Sequence, residues 1–232
     1  MAILPSADFV LSAIAYASGL SLLCLGLTLT YMTTKVPNFA HATIAITGSI
    51  VTLLLIDRVY YPMATWSIYI VAPIIAFMVG AALSTAIYVV VLRPLADRGN
   101  TVIGLMIATF ALDIILVSLL TVLVYQLPAE NLGRLTAQNL LGFERRITIL
   151  GITGTSSAYV LPVMAFLTAL ALYVFLNKTK FGIAMRAAIE NPDLASVLGI
   201  NVRRVYLASW LIAGGIAGMA GSLMAFRIAK VE

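Results

Sequence analysis

A chain of 232 residues that is 62% hydrophobic and only 10% charged carries far less charge than the roughly 25% of an average soluble domain, and its mean hydropathy of +1.07 excludes an ordinary water-soluble globular protein. On so apolar a chain the net charge of +5 resides in loops, where it reports orientation across a bilayer and not nucleic-acid binding. A single cysteine and a single histidine leave no internal disulfide and argue against a metal centre or a serine–histidine–acid triad, so neither a cofactor nor catalysis is expected.

In chain order, Met1 to Asp8 hold no lysine or arginine ahead of the first apolar run, so a cleaved signal peptide is not expected. At about 20 apolar residues to a crossing, the chain reads as six spans, over 10–33, 39–56, 67–92, 101–125, 159–177 and 205–226, within one transmembrane domain covering 1–232. The expected fold is all-α, a polytopic helical membrane protein set in lipid. Gly19 and Gly26 in the first span, Ala76, Gly80 and Ser84 in the third, and Gly214, Gly215, Gly218 and Gly221 in the sixth are small residues of the kind that lets helix backbones approach closely within a bundle. Cys24 is expected to be a small packing residue, and Pro73 to kink the third span.

Between the first two spans stands Lys35-Val36-Pro37-Asn38-Phe39-Ala40-His41-Ala42. Such a run either turns at the membrane surface, with His41 hydrogen-bonded among headgroups, or breaks a helix inside the membrane, where it must face protein or a water-filled path. On the second reading Asn38, Phe39 and His41 are candidates to line that path. Asp113, near the middle of the fourth span, costs about 2.5 to 3.5 kcal/mol to insert, and the span's roughly fifteen Leu, Ile, Val and Phe offset this at about 0.3 to 0.6 kcal/mol each. Asp113 either faces a path or is held in the bundle by hydroxyls or a lysine.

Residues 126–158 form the longest segment on the other side of the membrane, and alternation around Ile147, Ile149 and Ile152 predicts a short hairpin or edge strand. The polar stretch 178–204 holds Lys178, Lys180, Arg186, Arg203 and Arg204, and with the loops at 34–38 and 93–100 its side carries eight Lys/Arg against six opposite. The short-loop excess places this side in the cytoplasm. Within the stretch a short helix is legible: Asn191 caps, Pro192 starts, Asp193 complements the dipole and Gly199 terminates. Leu194, Val197 and Leu198 give it one apolar face, which needs either this protein's own bundle or a groove on a soluble partner.

Three stretches resemble the permease subunits of branched-chain amino acid ABC importers, the type of the Leu/Ile/Val system. Gly26-Leu27-Thr28 through Asn38-Phe39-Ala40-His41 to Gly48 is similar to the family's GLTL…NFAHG…GAY, with Ala42 in place of the glycine after the histidine. Arg93-Pro94-Leu95 leads into the fourth span. Gly182 through Arg186-Ala187 to Leu198-Gly199-Ile200-Asn201 is similar to the family's cytoplasmic G-x-x-x-R-A…LGIN loop. The resemblance implies a multi-pass cell-membrane subunit that pairs with a second permease, two cytoplasmic ATPases and an extracytoplasmic solute-binding protein. It further implies that Arg186, Glu190, Asn191, Asp193, Leu194, Val197, Leu198 and Gly199 form the coupling helix seated in an ATPase groove. Relatives include permeases for urea and short amides, and continue past the position of Glu232 with further membrane helices. The competing expectation is an ion- or proton-coupled secondary transporter titrating Asp113, which calls for paired intramembrane charges and an internal repeat; the sequence has neither.

Overall fold

The structure is a computed structural model and describes residues 7–56, 67–126, 146–149 and 152–228. Helix α1 (Ala7–Thr34) is followed by α2 (His41–Leu55), then by α3 (Ile68–Ile87), a π-helical turn (Tyr88–Leu92) and α4 (Arg93–Asp97), which run on as one rod. Helix α5 (Val102–Tyr125) leads to an antiparallel hairpin of β1 (Arg146–Ile149) and β2 (Ile152–Thr155), in the register Arg146 opposite Thr155 and Ile149 opposite Ile152. The chain then forms α6 (Ser156–Lys178), α7 (Lys180–Glu190), α8 (Pro192–Val197) and α9 (Val202–Ile228).

Among the described residues five helices are long and apolar enough to cross a bilayer: Ala7–Thr34, Ile68–Asp97, Val102–Tyr125, Ser156–Lys178 and Val202–Arg227. The expected span over 39–56 is the exception. Its α-helix has 15 described residues, about 22 Å at 1.5 Å per residue, and Ile56 after it is the last residue described before 67. The residues ahead of it are spent on an extended segment that enters the bundle. The predicted hairpin is present at β1 and β2; the rest of the segment up to 145 lies outside the described residues. The third span continues as helix on both sides of Pro73, and a π-helical turn follows at Tyr88–Leu92.

Helix α9 is the most buried of the long helices, and α1, α2 and α3 pack around it through the small residues. A methyl placed on Gly218 would collide with the Ala76 carbonyl oxygen, one on Gly48 with the Gly218 carbonyl oxygen, and one on Gly221 with that of Ala45. Side-chain hydrogen bonds reinforce these seams: Thr33 and Ser209 hydroxyls meet at 2.8 Å, Thr52 donates to Ser222 at 2.6 Å, and Ser49 donates to the Gly221 carbonyl at 2.7 Å. Bonds of this kind between membrane helices are worth about 0.6 to 2 kcal/mol each. Cys24 corrects the sequence reading: it is exposed on α1 and packs in no core, because Leu22, Gly19 and Gly26 occupy the buried side of that helix. Helices α5 and α6 contribute few buried residues, and Ile103, Ile107, Phe110 and Ile114 on the one, with Val163, Phe166 and Tyr173 on the other, face outward.

One end of the bundle gathers the basic residues. Asp97 at the end of α4 lies 3.8 Å from Arg93 Nε and 3.5 Å from Arg203 Nη2 at the start of α9, which puts the 93–100 loop beside the 178–204 stretch.

Candidate functional site

The break between α1 and α2 is built by backbone chemistry. Lys35 adopts φ of 57°, the left-handed conformation that reverses a helix end, and its N–H donates to the Tyr31 carbonyl at 2.9 Å. Val36 precedes a proline and is biased to extended geometry, and Pro37 has no N–H to continue a helix. The chain therefore turns back into the bundle: Val36 and Asn38 are both 3% exposed and Ala40 is fully buried. His41 shows how deep it returns, since its Nε2 lies 3.1 Å from the carbonyl of Leu23, roughly three turns before the end of α1. Gly26 makes room for the imidazole: a Cβ there would sit 2.9 Å from both His41 Cε1 and the Ala213 carbonyl oxygen.

A single turn of α5 clasps the segment from the other side. Thr109, fully buried, has its hydroxyl 2.8 Å from the Met106 carbonyl and 3.3 Å from that of Pro37, and accepts from the Phe39 N–H at 3.4 Å. Thr43 donates to the Asp113 carboxylate. The Phe39 ring meets Phe110 edge-on with centroids 6.0 Å apart. It is 45% exposed, so of the residues expected to line a path Phe39 faces outward, while Asn38 and His41 face the interior and Asp113 is half-buried beside α2.

What remains unpaired defines the site. Both polar atoms of the buried Asn38 amide, and Nδ1 of His41, have no hydrogen-bond partner among the described residues, and each such group costs about 1 to 3 kcal/mol if left unsatisfied. They stand at the first turn of α2, whose N-cap Ala40 supplies no side-chain bond, where helix N–H groups carry partial positive charge. An amide, an imidazole and a helix N-terminus on one side, with a carboxylate held by a hydroxyl nearby, can engage a small polar solute at depth. Thr43 and Thr109 were missed from sequence; the one signal was that Thr109 lies a single turn before Asp113 on the same helix.

The short helix of the basic stretch has the expected ends. The Asn191 Oδ1 accepts from Leu194 N–H at 3.0 Å, Gly199 has φ of 84°, and Ile200 N–H reaches back to the Ala195 carbonyl at 2.9 Å, a glycine-terminated C-cap. The helix before it, α7, was not anticipated: Thr179 caps it through Gly182 N–H at 2.9 Å, and only glycine at 182 fits against the Phe175 carbonyl and Leu176 backbone. Met185, Ala188 and Ala195 seat α7 and α8 on Leu29, Val205 and Ala213. Leu194, Val197 and Leu198 are 56%, 82% and 71% exposed, so the apolar face of α8 does not rest on its own bundle. Arg186 donates to Asn177 Oδ1 at 2.9 Å, and Glu190 and Asp193 are exposed.

A family model described as the permease component of branched-chain amino acid transport systems matches residues 9–232. The chain is 39% identical over 217 residues to a Methanocaldococcus jannaschii protein named "Probable branched-chain amino acid transport permease protein LivH", covering 92% of this chain and 64% of that one. It is 25% identical over 215 residues to the Escherichia coli "High-affinity branched-chain amino acid transport system permease protein LivH", covering 92% and 68%. A shorter stretch of 65 residues is 37% identical to a Lactococcus lactis "Nucleoside ABC transporter permease protein NupC", 28% of this chain and 20% of that one. No solved structure matches the chain. The chain thus spans about two thirds or less of the length of the relative it matches at 39% identity.

Proposed function

This chain belongs to the family of permease components of branched-chain amino acid transport systems, and from that premise we propose that it lines part of the membrane path of an ATP-driven importer for leucine, isoleucine and valine. The family is one of transporter subunits and not of enzymes, and five apolar helices mark a multi-pass membrane protein. In the proposed assembly a second permease completes the path, two cytoplasmic ATPases supply energy, and an extracytoplasmic solute-binding protein delivers substrate. The site for the whole is the cell membrane, with the basic end of the bundle in the cytoplasm.

The observation that carries the reading is the buried, unpartnered Asn38 amide beside His41 at the start of a helix that begins inside the bundle. Broken helices with polar ends at mid-depth are how membrane transporters meet a solute. The outward apolar face of α8 supports the second half of the reading, a contact with an ATPase groove made by Leu194, Val197 and Leu198. A proton-coupled carrier built on Asp113 has no support from the family match, and that carboxylate is engaged by Thr43. The test is uptake of radiolabelled leucine by cells expressing the chain with its partner subunits. ATP-dependent uptake that Asn38→Ala or His41→Ala lowers at least about tenfold is expected, with urea and acetamide as competitors to set the substrate class. Undiminished uptake in both variants would remove the break from the path.

A further inference from the structure

At the basic end of the bundle Tyr88, Leu92, Leu105 and Trp210 line a cavity of about 280 Å³, and the Arg93, Asp97 and Arg203 side chains belong to its wall. The apolar part is interior, since Trp210 is fully buried and Tyr88 and Leu92 are 7% and 4% exposed. The charged part is the mouth, with side chains 40%, 49% and 67% exposed for Arg93, Asp97 and Arg203. A volume near the bottom of the roughly 300 to 1,000 Å³ of ligand pockets suits a metabolite of amino-acid size and excludes a nucleotide.

The π-helical turn is what assembles this wall. In an α-helix Tyr88 and Arg93, five residues apart, would point about 140° away from each other. Here the Arg93 backbone N–H donates to the Tyr88 carbonyl, so the aromatic ring and the guanidinium line the same cavity. Tyr88 in turn stacks on Trp210, ring centroids 5.8 Å apart and planes at 24°. Helical departures of this kind concentrate at functional sites.

The charges at the mouth are two cations to one anion: Arg93 and Arg203 approach different oxygens of Asp97, at 3.8 and 3.5 Å. The excess cation favours an incoming carboxylate. The Asp97 carboxylate, which the two guanidiniums approach only at 3.5 and 3.8 Å, can share an ammonium, and an apolar interior lies behind them. We propose that this cavity is a binding site for a free α-amino acid with an apolar side chain, its carboxylate on Arg203 or Arg93, its ammonium on Asp97, and its side chain against Leu92, Leu105 and Trp210. Val36, two residues from Asn38, also lines the cavity, which sets the site at the cytoplasmic side of the break. That placement as a product-side site rests on the import reading; the binding chemistry does not.

The experiment is equilibrium binding of tritiated L-leucine to the full chain purified in detergent with the subunits that accompany it, without ATP and without the solute-binding protein. Saturable binding is expected, displaced by isoleucine but at least about tenfold more weakly by leucinamide, which lacks the carboxylate, and by 4-methylpentanoate, which lacks the ammonium. Arg203→Gln should weaken binding at least about tenfold and Arg203→Lys should restore most of it. Ala96→Trp, at an exposed wall position, should block the cavity without touching the core. Binding unchanged in Arg203→Gln and Ala96→Trp, or leucinamide competing as well as leucine, overturns the site. Leucine uptake into vesicles separates the two proposals: intact Arg203-dependent binding without uptake refutes import alone, and uptake without such binding refutes this site alone.

Discussion

The Thr43 hydroxyl donates to the Asp113 carboxylate and so joins two residues 70 positions apart, tying the first turn of α2 to the middle of α5. The bond gives the intramembrane acid a partner without a cation, and it holds the break against α5.

From this follows the behaviour of position 113. Asp113→Asn keeps an oxygen that accepts from Thr43, so ATP-dependent leucine uptake should stay within about twofold of wild type. Asp113→Leu leaves the Thr43 hydroxyl without its partner, a loss of about 1 to 3 kcal/mol, and should lower both the melting temperature and uptake. Parallel uptake and thermal-melting assays check this; an Asp113→Asn variant as damaged as Asp113→Leu would show that the charge itself is needed.

Asn38 and His41 are buried in the bundle and turned toward its interior, so cysteines placed there test whether water reaches them. In a Cys24→Ser background, which removes the exposed native thiol, Asn38→Cys and His41→Cys should react with a membrane-impermeant thiol reagent, and leucine should slow the reaction. Complete protection in every transport state would mean that the break is sealed in the core.

Leu194→Asp alters a side chain that is 56% exposed on α8, outside every membrane helix. Membrane abundance should be normal. If the face is docked, the lost anchor is about 1.5 to 3 kcal/mol, so ATPase co-purification and uptake should each fall by about tenfold or more. Co-purification and uptake at wild-type levels would leave the apolar face without a protein partner.

Gly218→Val places a side chain against the Ala76 carbonyl and within 3.2 Å of Gly80 Cα, where two backbones cannot yield. Overpacking of this sort costs about 1 to 3 kcal/mol or more, and the folded yield in detergent should drop sharply. Gly104→Ala is the control, because the nearest atom to its new methyl is Asn100 Oδ1 at 3.6 Å; its yield should match wild type.

The sequence by itself determined whatever local chemistry specifies. The ends of α8 were legible because an Asn cap, a Pro at the first turn and a left-handed Gly each act within a few residues. The break at Pro37 was legible because proline and the residue before it restrict the backbone directly. The membrane-embedded helical class followed from composition. Tertiary structure decided what hydropathy cannot distinguish, because a bilayer and a protein interior are equally apolar: α5 is more apolar than α9, yet α9 is the buried axis and α5 faces outward. The same ambiguity left open whether Lys35 turned the chain along the surface or back into the bundle, and it hid Thr43 and Thr109, ordinary hydroxyls whose importance comes from a helix about 70 residues away. Likewise the Tyr88–Leu92 turn lies just ahead of Pro94, which has no N–H to continue the helical bonding, but that it lays Tyr88 on Trp210 is decided only where the rod of α3 lies against α9.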